Sequence, residues 1–550
     1  MSLCPQPGSH VPEETARVAR AAFPKGNPYL TLRDELETIY ADSAFEGLFP
    51  KRGQPAESPG RLALIAVLQF AENLSDRQAA DAVRSRIDWK YLLGLDLVDP
   101  GFDFSILSEF RDRLLAGGLE QRLLDDLLAR FRERGLVQAR GKQRSDSTHI
   151  QAAARNLNRL ECVGETMRHA LQSLVALVPQ WVQEHVPQDW YDRYGPRFDQ
   201  YRFPKTESAR QRLILQIGQD GQQLLQWVYT SERADTLRQQ PAVEILRRVW
   251  VQQYYVQDDE IHWRHTDNMP STEHVIHSPY DPEARYSQKR ETTWFGYKAH
   301  ITETCDADRP HLITHMVTTP ATTQDEQVTE TIHRALAQKN LLPAEHLLDR
   351  GYVDTQVLID SEDNHSIEVI GPIKVDTTWQ AQAGKGFDVS SFIIDWETQR
   401  VTCPGGHESQ VWADSRDNAG NPRIYVRFAK ASCQACPVRT DCTRSLQGPR
   451  TLSFKPRRQH ELLQWARHRE HTDAFKARYA KRAGIEGTIS QGTRSFGLRR
   501  SRYMGQAKTH LQHMLIAVAM NLARFVAWVN GVPRSTTRTS TFAALATGHP

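Results

Sequence analysis

At 550 residues the chain is far beyond the size at which one hydrophobic core stops growing, so two to four units are expected. With 39% hydrophobic and 25% charged residues, its composition is that of a globular protein and excludes intrinsic disorder and an integral membrane protein. Its 69 Lys and Arg nearly balance 66 Asp and Glu, for a formal charge of +3, so any anion-binding surface has to arise from local clustering.

The N-terminal MSLCPQPGSHVPEE has neither the apolar stretch of a signal peptide nor the Arg-rich character of a transit peptide, which makes the cytoplasm the expected location. Residues 1–58 are punctuated by Pro and Gly and show one short helical pattern around Leu32 to Tyr40; they read as an arm and linker. From Arg61 the apolar spacing turns helical, Ser75 is placed to cap a second helix, and IDWKYLLGL begins a third. GFDFSILSEFRDRLLAGG, with Ser105 as its expected cap, and LEQRLLDDLLARFRERGLV continue the pattern. Residues 59–137 are therefore expected to form a helical, helix-turn-helix-like domain.

SDSTHI reads as a short strand within 138–157, and 158–290 as a mainly helical insertion. Over 291–374 the elements alternate: TWFGYKAHITET and HLITHMVTT as strands, Glu326 to Lys339 as a helix, then EHLLD and SIEVIGPI as strands. Three strands, a crossover helix and two more strands is the element order of a ribonuclease-H-like core, an α/β fold with a mixed five-stranded sheet. Residues 375–460 hold a cysteine-rich insertion and 461–530 the C-terminal helices. The run Leu511 to Val529, broken by His513, Asn521 and Arg524, fits a buried helix better than a membrane span. The Ser/Thr-rich 531–550 reads as a disordered tail.

Hard divalent cations take oxygen ligands, and two-metal phosphodiester cleavage needs a few carboxylates converging on one point. Asp146, in the first strand among Ser145, Ser147 and Thr148, and Asp349, ending EHLLD, stand where strand ends open onto a ligand-collecting face. Glu486 shares a predicted helix face with Tyr479 and Arg482, three and four residues apart, although Gly484 and Gly487 weaken that helix. Asp325 is set aside, since Thr323 or Asp325 reads as a helix N-cap.

Between Lys476 and Lys508 the chain carries Lys476, Arg478, Lys481, Arg482, Arg494, Arg499, Arg500, Arg502 and Lys508 against Glu486 alone. This is a local phosphate-binding field, with Phe496 and Tyr503 interleaved for stacking. In the N-terminal helices Arg77, Arg84, Arg86 and Lys90 are placed to reach phosphates, a plain helical bundle or dimer interface being the alternative, with Trp89 and Tyr91 as core anchors under either reading. Cys433, Cys436 and Cys442 form C-x2-C-x5-C, and Cys403 in TCPGGH offers a fourth thiolate; a structural zinc site is expected, with free thiols or a His407 ligand as the alternatives. Cys4, Cys162 and Cys305 are isolated and read as ordinary small residues.

The DSTHI, DPEAR, WFGYKAH, LLDRGY and YAKRAGIEGTISQ segments, with FGLRRSRYMGQAKTHLQHML, resemble the insertion-sequence transposases of the DDE class, closest to the eleven-eighty-two family of bacterial insertion sequences. The N-terminal helical module, with LSDRQAADAVRSRIDWKYLLGL, is similar to a domain shared by many such transposases. The resemblance spans roughly 60 to 530. It implies a ribonuclease-H-like catalytic domain, two Mg²⁺ or Mn²⁺ ions on Asp146, Asp349 and Glu486, and a Tyr-Arg-Glu-Lys signature carried by Tyr479, Arg482 and Glu486. The signature's Lys falls on Thr493, with Arg494 beside it. The implied partners are double-stranded DNA, as element ends and target, and a second copy of the chain on paired ends, in the cytoplasm near the nucleoid. A ribonuclease-H-like nuclease or resolvase, a non-catalytic DNA-binding relative, and a zinc-containing scaffold are the competing readings.

Overall fold

The structure, a computed structural model, describes residues 2–3, 10–198 and 203–534; Cys4 and the tail beyond 534 lie outside the described residues. The N-terminal part is helical from residue 13: α1 (Glu13–Ala22), α2 (Pro28–Leu36), α3 (Pro59–Ala71), α4 (Asp76–Ser85), α5 (Ile87–Leu93), α6 (Ser105–Ala116) and α7 (Arg122–Glu133). Ser75 makes a full capping box with Gln78, as its spacing predicts. Ser105, by contrast, is the first residue of α6 and does not cap it; its amide donates to Asp103 Oδ1 at 2.9 Å.

The expected arm over 1–58 contains α1, α2 and a 3-10 turn (Asp42–Leu48), with Leu30, Leu32, Leu36 and Phe45 buried. Its prolines misled because they start helices: Pro28 and Pro59 sit in the first turns of α2 and α3, where a missing N–H costs nothing.

Contacts divide the chain into two units, one of residues 1–138, 146–323 and from 485 onward, the other of 139–145 and 324–484. Strand β1 (Lys142–Gln151) is divided between them after Ser145. In the first unit β1 leads to an insertion of helices α8 (Arg159–Leu177), α9 (Pro179–His185), α10 (Gln188–Tyr194), α11 (Glu207–Thr230), α12 (Ala234–Arg238) and α13 (Pro241–Gln253), then a hairpin of β2 (Tyr254–Gln257) and β3 (Glu260–Trp263). The insertion has its own core, which includes Val163, Met167, Leu174, Trp190, Leu224 and Trp250. Strands β4 (Arg285–Lys289), β5 (Thr292–Thr304) and β6 (Ile313–Pro320) form an antiparallel meander, with β5 in the middle. Strand β4 is an addition to the five expected strands.

The DPEAR and WFGYKAH segments are scaffold in this unit. Asp281, fully buried, accepts hydrogen bonds from the Tyr297 hydroxyl and the Ala284 amide. Gly296, at φ +149°, lets β5 approach β1 so closely that a Cβ there would stand 2.2 Å from the Ile150 carbonyl oxygen, which no other residue tolerates.

The second unit begins with β1's first half, paired in parallel with β7 (Glu345–Leu348), itself parallel to β8 (Glu368–Ile370). Helix α14 (Thr329–Gln338) precedes β7, and α15 (Thr355–His365) makes the crossover that two parallel strands require. After α16 (Trp379–Ala383) come the hairpin of β9 (Ile393–Asp395) and β10 (Arg400–Thr402), the sheet of β11 (Ser409–Arg416), β12 (Pro422–Phe428) and β13 (Thr451–Phe454), and the short helices α17 (Lys430–Gln434) and α18 (Arg439–Cys442). Helices α19 (Arg457–Glu470) and α20 (Asp473–Tyr479) complete it.

The chain ends with α21 (Gly484–Ser495) and α22 (Gln506–Val529). Helix α22 is long and apolar enough to cross a membrane, yet it is mostly buried within the first unit, where it packs on β6, α3 and α7. Buried Asn521 clamps β6 by accepting from the Ile313 amide and donating to its carbonyl, both at 2.8 Å.

Candidate active site

Asp146 is buried on β1, and its Oδ1 accepts from the Ser147 amide at 2.8 Å. In the second unit the β1–β7 ladder ends at the pair Ser145 and Leu348. Asp146 is the residue that follows Ser145, and Asp349 the one that follows Leu348, so each carboxylate stands one step beyond the last pair of a parallel ladder. Asp349 opens a 3-10 turn (Arg350–Tyr352) and accepts from the Tyr352 amide through its own carbonyl at 2.9 Å. Neither Thr323 nor Asp325 is the N-cap the sequence suggested: Gln324 holds that position, ahead of a 3-10 turn (Asp325–Val328). The Asp325 carboxylate lies instead against Gly351, two residues beyond Asp349.

Tyr479, Arg482 and Glu486 do not lie on one α-helix. Tyr479 ends α20, Arg482 lies in a 3-10 turn (Ala480–Ala483), and Glu486 is in the first turn of α21. A 3-10 turn winds about 20° more per residue than an α-helix, so four residues rotate the face by about 80°. Glu486 is exposed, Tyr479 and Arg482 half-buried.

Two contacts that sequence reasoning missed fix the start of α21. In the second unit the buried guanidinium of Arg144 donates to the Lys481 carbonyl at 2.6 Å and lies against Gly484, where a Cβ would come within 2.1 Å of it. Arg144 is two residues before Asp146 and Gly484 two before Glu486. In the first unit Glu303, at the end of β5, is fully buried and accepts from Thr488 Oγ1 at 2.6 Å and from Arg524 of α22 at 2.7 Å. Arg524 also donates to Thr488 Oγ1 and Gln491 Oε1, at 2.7 and 3.0 Å, so α21 is held to β5 and α22 just after Glu486. Nothing in the local spacing of Arg144, Glu303 or Arg524 marks them; only a pairing across hundreds of residues does.

The basic residues divide into exposed and committed groups. Arg494 and Arg500 are exposed. Arg499 donates to Thr148 Oγ1 at 2.9 Å, and its carbonyl accepts from Gln151 at 2.8 Å, which lays this segment along the end of β1. Arg502 bonds the Leu74 carbonyl at 2.6 Å and covers the Phe70 ring at 4.5 Å; Lys508 pairs with Asp112 at 2.9 Å. Thr493, at the signature's Lys position, turns its hydroxyl back to the Ile489 carbonyl at 2.8 Å. Among the N-terminal residues, Arg77 covers Phe104 and Arg84 bonds the Pro100 carbonyl. Lys90 is 3% exposed and spends its ammonium on the Asp96 and Asp99 carbonyls, while Arg86 pairs with Glu72 and Asp88. Lys90 and Arg86 are thus engaged within the fold in this structure. Trp89 and Tyr91 are buried, as core anchors should be.

Cys403, Cys433, Cys436 and Cys442 are free thiols, joined by His407, around a cavity of about 30 Å³, the room of about one water-sized body. The Cys403 carbonyl accepts from the Gly406 amide at 2.8 Å, which closes a tight turn, and Cys433 Sγ accepts from the Arg450 amide at 3.4 Å. Four thiols, a small cavity and a backbone N–H aimed at sulfur fit a tetrahedral ion. The cysteines also back the small core of Phe392, Val401, Val426 and Phe454. Cys162 and Cys305 are buried, and burial pushes the Cys162 thiol up to about 12.

Comparison with known protein families returns two matches. Residues 402–526 match the model described as Transposase DDE domain, a span that holds the cysteines, Tyr479, Arg482 and Glu486. Residues 17–113 match the Transposase domain (DUF772) model, which begins inside α1. No curated protein matches the chain. Both families are of transposases, enzymes that act on DNA. The chain belongs with them as a DDE-type transposase of the bacterial insertion-sequence kind, a divalent-metal-dependent enzyme of DNA recombination.

Proposed function

We propose that the chain is a transposase of the eleven-eighty-two family that binds the terminal inverted repeats of its element, cleaves at the ends, and joins the freed 3′-hydroxyls to target DNA. The observation that carries this reading is the place of two acids, Asp146 and Asp349, each one residue beyond the last pair of the parallel β1–β7 ladder. The contact of Gly484, two residues from Glu486, with Arg144 supports the same grouping. Strands β1, β5 and β6, helix α14, and β7 and β8 follow the ribonuclease-H-like element order.

In this reading Asp146, Asp349 and Glu486 hold two Mg²⁺ or Mn²⁺ ions, whose hard oxygen preference the three carboxylates meet. When bound, such ions supply an activated water and charge stabilisation at the leaving 3′ oxygen. The residues do the rest. Asp146, fixed by its own neighbour's amide, offers a preset oxygen; Tyr479 and Arg482 position the DNA backbone; Arg494, Arg499 and Arg500 neutralise phosphates near Glu486. Arg502 and Lys508, and Arg77 and Arg84 in the N-terminal helices, extend that basic surface toward the terminal repeats, although each already has a partner within the fold. Cys403, Cys433, Cys436 and Cys442 hold a structural Zn²⁺ that stabilises the segment between α16 and α19. Two element ends call for a homodimer, working in the cytoplasm at the nucleoid.

The test is incubation of the purified protein with element-end DNA, target DNA and Mg²⁺, wild type beside Asp146→Asn, Asp349→Asn and Glu486→Gln. Joined products in the wild type, lowered at least about 10³-fold in each variant, are the expected result. Cleavage without joining assigns a nuclease or resolvase instead, and a variant with full activity removes its residue from the triad.

A further inference from the structure

In the second unit, on the helices before and after β7, Glu330, His333 and His365 bring a carboxylate oxygen and two imidazole nitrogens within 4.8 Å of one another. Glu330 and His333 are three residues apart on α14, hence on one face of that helix, and His365 is the last residue of α15. His365 Nε2 and Glu330 Oε2 are 3.1 Å apart. Two ligands at about 2.05 Å from a tetrahedral ion stand about 3.3 Å apart, so an ion can replace this hydrogen bond with little movement.

The third ligand is oriented from behind. His333 is fully buried, and its Nε2 lies 2.8 Å from His346 Nδ1; His346 Nε2 in turn meets Ser145 Oγ at 2.7 Å. That chain leaves Nδ1 as the nitrogen of His333 open to an ion. Its neighbour there is Ser361 Oγ at 3.4 Å, whose proton goes to the Val357 carbonyl at 2.6 Å. A histidine ligand whose other ring nitrogen is held by a hydrogen bond is the arrangement metal sites use to fix tautomer and ring orientation. Glu330 Oε1 also accepts from Arg334 at 3.3 Å, but that side chain is 67% exposed and can swing clear. Glu330 is 42% exposed and His365 11%, which gives an ion a way in.

We propose that Glu330, His333 and His365 bind a divalent transition-metal ion of the zinc class, with His346 and Ser145 as the supporting hydrogen-bond chain. Two nitrogens and one carboxylate select such an ion over Mg²⁺, which wants six oxygens. Three protein ligands leave a fourth position for water or an exogenous ligand. The supporting chain ends at Ser145, the residue before Asp146, so an ion at this site would set the tautomers beneath the first catalytic strand.

The experiment counts zinc. The full chain is stripped with a chelator, reloaded with Zn²⁺, passed through gel filtration, and its metal measured per chain for wild type, Glu330→Gln and His365→Ala. Each variant is expected to hold one ion fewer than wild type. Because Glu330 is exposed, Glu330→Gln keeps the fold even where His365→Ala does not. Co²⁺ then separates the sites: in a Cys433→Ser, Cys436→Ser background the remaining visible bands are expected without thiolate charge transfer and vanish on adding Glu330→Gln. A Glu330→Gln protein that keeps the wild-type zinc count and its Co²⁺ bands overturns the proposal.

Discussion

Glu303 has no exposed surface, and its carboxylate accepts from Thr488 and from Arg524 among its partners. Removing one member of a buried ion pair strands the other without solvent, at a cost of about 3–5 kcal/mol. Arg524→Ala is therefore expected to lower stability by that amount in urea unfolding. The paired exchange Glu303→Met with Arg524→Met, which leaves no orphan charge, is expected to recover most of it. Equal loss in both proteins would mean that the charged hydrogen bonds of Arg524 themselves, and not merely the avoidance of an orphan charge, hold α21.

His513 offers a second test at the residue scale. Its ring is fully buried in α22 with Nδ1 2.6 Å from Thr318 Oγ1, and burial, helped by His510, holds its pKa down to about 3 against an ordinary 6.5. A depressed folded-state value means that the unfolded chain takes up the proton first. The stability this neutral ring contributes is present above pH 6.5 and is lost as pH falls toward 3, by an amount on the order of a few kcal/mol. Urea midpoints measured from pH 7 down to pH 4 should fall, and fall less steeply in His513→Gln. An identical slope in the two proteins would assign the loss to other buried histidines, such as His333 and His346, whose values are also depressed.

At the scale of elements, what the sequence conveyed was periodicity and punctuation. The capping box at Ser75, the apolar stripes of α3 and α22, and the order of β1, β5, β6, α14, β7 and β8 were all legible because each is written within a dozen residues. Asp146, Asp349 and Glu486 could be singled out by their place on such elements and by resemblance. The contacts that hold them were not legible. Arg144 against Gly484 spans 340 positions, and Gly484 read alone looks like a weak point in a helix. The 3-10 turn at Ala480–Ala483 was hidden for a similar reason, since Tyr479, Arg482 and Glu486 keep α-helical spacing whatever the backbone does. A side chain at Gly484 must displace the Arg144 guanidinium, which stands only 2.1 Å from where its Cβ would lie. Gly484→Leu is accordingly expected to cut the proposed end cleavage at least about tenfold, while the melting temperature moves by only a few degrees. Full activity in that variant would show that the Arg144 contact does not position α21.

Within the first unit, the fate of the N-terminal helices depends on what covers α22. That helix is buried along most of its length, and the neighbours that bury it include α2, α3, α6 and α7 as well as β6. Phe525 of α22 stacks on Phe131 of α7 at 5.3 Å between ring centres, and Arg502, just before α22, bonds the Leu74 carbonyl beyond α3. A sequence reading that assigns 59–137 to a free-standing DNA-binding module would allow the rest of the chain to fold without it. The packing argues otherwise, since removing these helices uncovers the apolar face of α22 that they cover, and contiguous exposed apolar surface favours association. A fragment from residue 138 onward is thus expected to aggregate or to bind a hydrophobic dye strongly, and to regain solubility when co-expressed with residues 1–137. If that fragment is instead monomeric and melts cooperatively near the full chain's temperature, the N-terminal helices are a separable module and the burial of α22 rests on β6 alone.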